Sequence, residues 1–146
     1  MSDESTISLS LTLKDNYAFT VDFGDAGIPP MTIDENPPLG RNEGPNPSRM
    51  LATAVASCLA GSLLFCLRKS RVDVAAMRTD VRVTNGRNAR GRLRVQKVDV
   101  RLAPSVPADQ HERMARCLEL FEDFCVVSEA VRDGIAIDVR VDTQPA

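Results

Sequence analysis

Met50 to Leu67 is a run of 18 residues without a charge, and no other feature constrains the fold of this chain as strongly. Its length touches the lower limit for a helix that spans a bilayer. Its composition points elsewhere. Ala52, Thr53, Ala54, Ala56, Ser57, Ala60, Gly61 and Ser62 fill it with small or hydroxylated side chains. The flanking segments alternate apolar and polar residues, a pattern that needs water on one face. The segment therefore reads as the buried helix of a soluble protein. Asn46 is placed to cap it, Pro47 suits its first turn, and it should end near Ser70. Ala54, Cys58 and Ser62 lie four apart on one stripe, beside Ser57 and Gly61. Small residues at that spacing let a second helix approach closely.

The rest of the chain must build around that helix. Ile7, Leu9, Leu11 and Leu13 alternate with Ser8, Ser10 and Thr12, the period of a half-buried strand. Asp15-Asn16 supplies a turn, Tyr17 to Phe23 a hairpin partner, and Met31 to Ile33 a third short strand. Pro37, Pro38, Gly40, Gly44, Pro45 and Pro47 then preclude regular structure, so a loop carrying Asp34, Glu35, Arg41 and Glu43 leads into the helix. Two further strands are expected over Met77 to Thr84 and Leu93 to Leu102. The inward phase of the second shifts at Gln96-Lys97, as a β-bulge would make it. Pro107 to Phe124 reads as a second helix with Met114, Leu118 and Phe121 inward. A helical piece over Cys125 to Val131 ends at Asp133-Gly134, and Ile135, Ile137, Val139 and Val141 mark a last strand. The order βββ-α-ββ-α-(α)-β predicts an α+β protein rather than a doubly wound sheet. At 146 residues it predicts one domain, 1–146.

Composition narrows the chemistry. Net charge is −2, so there is no global basic field. Arg78 to Arg101 is locally basic, but no aromatic interleaves with its cations to stack a base. A solvated strand face is the expectation, with no nucleic-acid partner and no membrane. The single histidine, His111, falls in the first turn of the second helix with no nucleophile evident beside it. Glu112, Glu119, Glu122 and Asp123 read as the wet face of that helix. The acidic start Met1-Ser2-Asp3-Glu4 has no apolar stretch behind it. The expectation is a cytoplasmic protein whose 4 cysteines are reduced thiols. No Cys-x-x-Cys pair exists, so neither a zinc site nor another cofactor is expected.

Cys58 lies in the middle of the uncharged helix, where a cysteine is either an inert core residue or a reactive thiol. Cys125 lies at a helix break. The free N–H groups of a helix start stabilise a thiolate there, although a packed core cysteine fits the position equally. Cys66, near the end of its helix, and Cys117, inside a regular one, have the weaker functional claim.

The stretch Asp34-Glu35-Asn36-Pro37-Pro38-Leu39-Gly40, then Gly44-Pro45-Asn46-Pro47, then Cys58 eleven residues on, resembles the osmotically inducible protein C / organic hydroperoxide resistance (OsmC/Ohr) superfamily. Cys125-Val126-Val127-Ser128, followed by Val131 and Gly134-Ile135-Ala136-Ile137, resembles it too. The resemblance covers nearly the whole chain. It implies two intertwined subunits that bury their central helices against each other, with sheets built from both chains. It also implies thiol-dependent reduction of organic hydroperoxides. Cys58 would be the peroxidatic thiol and Cys125 the resolving thiol, and a dithiol, of lipoyl type in part of the family, would regenerate the pair.

The chain departs from the family at the activating charge. The peroxidase branches hold an arginine over the thiolate with a glutamate just after the helix-start proline. Here Ser48 and Arg49 follow Pro47, the first hairpin offers only Lys14, and Val126 replaces a proline. Desolvation in an apolar helix disfavours a thiolate unless a charge compensates. Arg49, Arg41 and Lys14 are the candidates for that charge, Arg49 foremost, and slow turnover that rises with pH is expected. The alternative function is a non-enzymatic protein of the same fold that binds a small molecule or an anion.

Overall fold

Hairpin pairing organises the N-terminal strands of the computed structural model, which describes residues 4–146. Strand β1 (Ser10–Asp15) pairs antiparallel with β2 (Ala18–Asp22), and β2 with β3 (Met31–Ile33), in the order β1-β2-β3. Asn16 takes a positive φ of 53° at the turn, a conformation asparagine tolerates better than most residues. The register places Leu11 opposite Val21 and Leu13 opposite Phe19. Helix α1 runs over Pro47–Lys69. Its start follows the sequence signal: the Arg49 N–H donates to Asn46 Oδ1 at 2.9 Å, the bond of an N-cap. Strands β4 (Ala76–Arg87) and β5 (Leu93–Ser105) form a second, two-stranded sheet. Helix α2 (His111–Leu120) is flanked by 3-10 turns over Ala108–Gln110 and Phe121–Phe124, and helix α3 spans Val126–Asp133.

The chain divides into two compact units. One comprises the chain through Thr53 together with Arg82–Val98; the other comprises Ala54–Val81 and Asp99–Ala146. In the first unit the loop after β3 is built around one carboxylate. Asp34 is 4% exposed and accepts the N–H groups of Glu35, Arg41 and Glu43 at 2.7, 3.0 and 3.1 Å. A Cβ at position 40 would collide with the Glu35 carbonyl and the Asp34 carboxylate, so only glycine lets the loop close this tightly. The proline- and glycine-rich stretch is thus an ordered loop in which the N–H groups of Asp34, Glu35 and residues 40–43 are satisfied internally.

The core of the second unit gathers Leu63, Leu67, Val72 and Cys117, with Met77, Leu102, Met114 and Phe121 packed on it. Gln110 joins α2 to the segment after α1. Its Oε1 accepts the Asp73 N–H at 2.7 Å and its amide donates to Asp73 Oδ2 at 2.9 Å.

The structure corrects four expectations. Ile135, Ile137, Val139 and Val141 alternate as expected, but the segment forms no strand and they are 61–84% exposed. A strand needs a neighbour for its backbone, and within this chain that segment has none. The Ile7–Leu13 side chains, expected to be half-buried, are 47–85% exposed for the same want of a covering layer. Cys117, not Leu118, is the deeply buried residue of α2, and Leu118 is 47% exposed. Finally, Cys66 and Cys117 form a disulfide rather than two free thiols. Packing of α2 on the end of α1 brings their Cα atoms to 5.7 Å, inside the range of about 4.4–6.8 Å that a disulfide spans.

Candidate active site

Helix α3 collects the chemistry of the second unit. Cys125 is its N-cap and is fully buried. Position 125 takes extended angles, φ −81° and ψ 102°, so the chain enters the helix through a turn whose first amides point inward. Helix starts leave such N–H groups without intrahelical partners. The Val127 N–H donates to Cys58 Sγ at 3.4 Å, which ties the middle of α1 to the start of α3. Cys58 and Cys125 are the two free thiols, Cys58 partly exposed and Cys125 enclosed. Ser128, one residue further on, is 4% exposed, and its hydroxyl has no hydrogen-bond partner.

The environment of Cys125 favours its ionised form. Burial alone would push this thiol up. Interactions with the Cys58 side chain, with the Ser128 side chain and backbone, and with Ser62 outweigh burial and hold it below the ordinary thiol value. Cys125 makes no side-chain cap bond to the helix it opens.

Cys58 also lines a cavity of about 830 Å³, with Phe65, Phe121 and Phe124 among its apolar walls and Lys69 and Arg116 as its cations. The Cys66–Cys117 disulfide forms part of the same wall. A small molecule in the cavity therefore meets Cys58, whereas the buried Cys125 does not line it.

The structure engages the three candidate charges otherwise. Arg41 donates to Asp15 Oδ2 at 3.0 Å and lies 3.8 Å from Glu43. The Arg49 guanidinium donates to Asn36 Oδ1 at 3.3 Å. Lys14 is exposed on β1. The helix-start amides at Cys125 were expected from the sequence, whereas Ser62 and the Ser128 hydroxyl escaped that reading. One signal for them was present: in Cys125-x-x-Ser128 a thiol takes the place of the hydroxyl that opens a capping box. His111 is exposed and contacts the Val106 carbonyl at 3.2 Å. Among the described residues no group of three or more His, Cys, Asp or Glu is arranged to hold a metal ion.

The family profile of the OsmC-like proteins matches residues 40–140, a span that holds the end of the loop, α1 and both free cysteines. The chain belongs to the OsmC-like protein family. Solved structures agree at the level of the fold. The chain is similar to an OsmC-like protein of unknown function from Vibrio cholerae, with a TM-score of 0.74 at 20% identity over 87% of this chain and 94% of the other. It is similar to an OsmC-like protein from Mycoplasma pneumoniae, with a TM-score of 0.72 at 12% identity over 88% and 89%. An organic hydroperoxide resistance protein from Elizabethkingia anophelis matches with a TM-score of 0.65 at 20% identity over 90% and 91%. No curated protein matches the sequence. As in this OsmC-like family, the architecture is α+β with antiparallel sheets beside helices.

Proposed function

We propose that this OsmC-like protein serves in peroxide defence by reducing organic hydroperoxides, with Cys58 as nucleophile and Cys125 as resolving thiol. The observation that carries the reading is the presence of two free thiols at the start of α3: Cys58, which lines a cavity and accepts the Val127 N–H, and Cys125, the buried N-cap of that helix. The likeness to organic hydroperoxide resistance proteins supports it. The Cys58 sulfur attacks the outer oxygen of the hydroperoxide and the O–O bond breaks. The alkoxide leaves as an alcohol after taking a proton, and Cys58 becomes a sulfenic acid. The Cys125 sulfur then attacks the Cys58 sulfur and expels hydroxide, which leaves a Cys58–Cys125 disulfide. A dithiol reductant restores both thiols by exchange and is itself oxidised to a disulfide.

Peptide mapping without reductant tests the proposal. After cumene hydroperoxide, a Cys58–Cys125 cross-link is expected in the same chain. The Cys66–Cys117 link should be present both before and after treatment. Recovery of Cys58 only as unmodified thiol after excess peroxide would overturn the enzymatic reading. The cavity volume lies within the range of small-molecule sites, which favours ligand binding without turnover as the second reading. That reading would then stand.

The protein acts as a homodimer in this proposal. The small-residue stripe of α1 is open within the chain: Ala54, Ser57 and Gly61 are exposed, and a Cβ on Gly61 would meet nothing within 4 Å. A second copy would cover that stripe.

A further inference from the structure

Two cysteines that the proposed reaction does not use line the same cavity as Cys58. Cys66 is half-buried in its wall, and Cys117, to which it is bonded, is 1% exposed. The two cations of the cavity are neighbours of this bond in the helices that carry it. Lys69 follows Cys66 by one turn of α1, on the same face, and Arg116 directly precedes Cys117 in α2. Among the described residues no carboxylate lines the cavity. Ser70 Oγ lies 3.4 Å from Cys117 Sγ. A disulfide sulfur carries no proton, so the serine hydroxyl is the donor in this contact. Cys58 has no comparable company. Arg41 and Arg49 are bonded to Asp15 and Asn36, and Lys69 lies ~16 Å of helix beyond it.

We propose that Cys66 and Cys117 are a second hydroperoxide-reducing pair on this cavity, with Cys66 as the nucleophile and Cys117 as the resolving thiol. A cysteine enclosed in apolar surroundings is inert, whereas a partly exposed one in electropositive surroundings is reactive, because nearby cations and hydrogen-bond donors favour the thiolate. Cys66 meets the second description, with Lys69 and Arg116 on its cavity and no carboxylate to oppose them. Cys117 is the shielded member, and the Ser70 hydroxyl is in place to steady the charge when it leaves as a thiolate. Closing the bond needs no movement of the helices, since the two Cα atoms stand 5.7 Å apart. The inference takes its substrate and its reductant by class from the peroxidase reading and none of its residues, so each can fail while the other holds.

The structure holds the pair oxidised. A dithiol in the cavity attacks the Cys66 sulfur, the more accessible of the two. The Cys66–Cys117 bond breaks, and Cys117 leaves as a thiolate that accepts the Ser70 O–H. The second thiol of the reductant then attacks the reductant's own sulfur in the mixed disulfide, and Cys66 is released. The reductant departs as a cyclic disulfide and its two protons pass to the pair. In the return half the Cys66 thiolate attacks the outer oxygen of an organic hydroperoxide and the O–O bond breaks. The alkoxide takes one proton and leaves as an alcohol, and Cys66 becomes a sulfenic acid. The Cys117 sulfur attacks it and expels hydroxide, which takes the second proton as water. One dithiol and one hydroperoxide thus give one cyclic disulfide, one alcohol and one water.

The full-length double variant Cys58→Ser/Cys125→Ser tests the inference, because Cys66 and Cys117 are its only cysteines. The folded variant is treated with dithiothreitol, freed of it without air, and given one equivalent of cumene hydroperoxide. Samples blocked with N-ethylmaleimide are then mapped as peptides. Dithiothreitol should open the Cys66–Cys117 link without denaturant. The hydroperoxide should close it again in the same chain, with one cumyl alcohol formed per link. Adding Lys69→Gln and Arg116→Gln together should slow closing about tenfold, the loss of thiolate that one unit of thiol pKa brings. A link that dithiothreitol opens only in guanidinium would overturn the inference, since the bond would then be structural alone. Closing no faster with hydroperoxide than in buffer alone would overturn it, as would a closing rate indifferent to the two cations. Should the double variant not fold, the same treatment of the wild type reads the Cys66–Cys117 link on its own peptides. None of these results bears on whether peroxide joins Cys58 to Cys125, which the mapping described above decides separately.

Discussion

Asp34 shows how one side chain can decide whether a loop is a site or a support. Its carboxylate accepts three backbone N–H groups of the loop that leads into α1, and Arg41 adds a favourable charge. Burial pushes this carboxyl up, and the amides together with Arg41 pull it further down, so it lies below the usual carboxylate value in the folded state. The sign of the pH dependence follows. Stabilisation by Asp34 is complete above the unfolded value of about 3.9 and is lost as pH falls through the lower folded value. Denaturant titrations of wild type and Asp34→Ala should therefore show a destabilised variant at pH 6 and a gap that narrows in acid. A gap independent of pH would show that Asp34 acts through packing alone. The sequence reading placed Asp34 among the charges of a candidate site loop. Its role as an acceptor hub was not legible there, because the donors lie one, seven and nine residues away and meet only when the loop closes on Gly40.

At the scale of elements, the join between α1 and α2 holds the second unit together. Leu63 and Leu67 of α1 pack with Cys117 of α2, and the Cys66–Cys117 bond fixes the two helices across 51 residues of sequence. Closing a loop of that length restricts the unfolded chain, with a stabilisation of about 2–4 kcal/mol expected from such a bridge. Guanidinium unfolding with and without a strong phosphine reductant should show that difference, and Cys66→Ser should reproduce it. Equal midpoints under the two conditions would mean that packing alone holds the helices. The sequence expectation of reduced thiols failed at this join. Spacing along two separate helices does not reveal which faces meet. The cap of α1 by Asn46, the limits of β3 and the stop of α3 before Gly134, whose φ is 79°, were legible because each is set by neighbours in sequence.

At the scale of the whole molecule, the chain leaves much apolar surface open. Leu9, Leu11 and Leu13 near the start and Ile137, Val139 and Val141 near the end are 47–84% exposed. An exposed apolar strand face, and an alternating segment without a strand partner, are sites for packing or pairing with another chain. The homodimer proposed above would cover them, and sedimentation at micromolar protein should show twice the chain mass. Ile137→Lys should shift the protein toward monomer without unfolding the Leu63–Leu67 core. A wild-type monomer at that concentration would defeat the assembly proposal.

The amino-acid sequence by itself determined the elements and the family. Helix α1, the order of strands and helices up to α3, the two motif cysteines and the absence of the bracing glutamate are all properties of short-range pattern. Only the tertiary structure decided what each polar group faces. It set Arg41 and Arg49 against other partners, closed Cys66 on Cys117, buried Ser128 without a partner and brought the Val127 amide of α3 to the Cys58 sulfur, 69 residues away in sequence. The physical reason is range. Periodicity and capping act within a few residues, whereas hydrogen bonds and thiol ionisation at this site depend on which helix ends meet after the chain has folded.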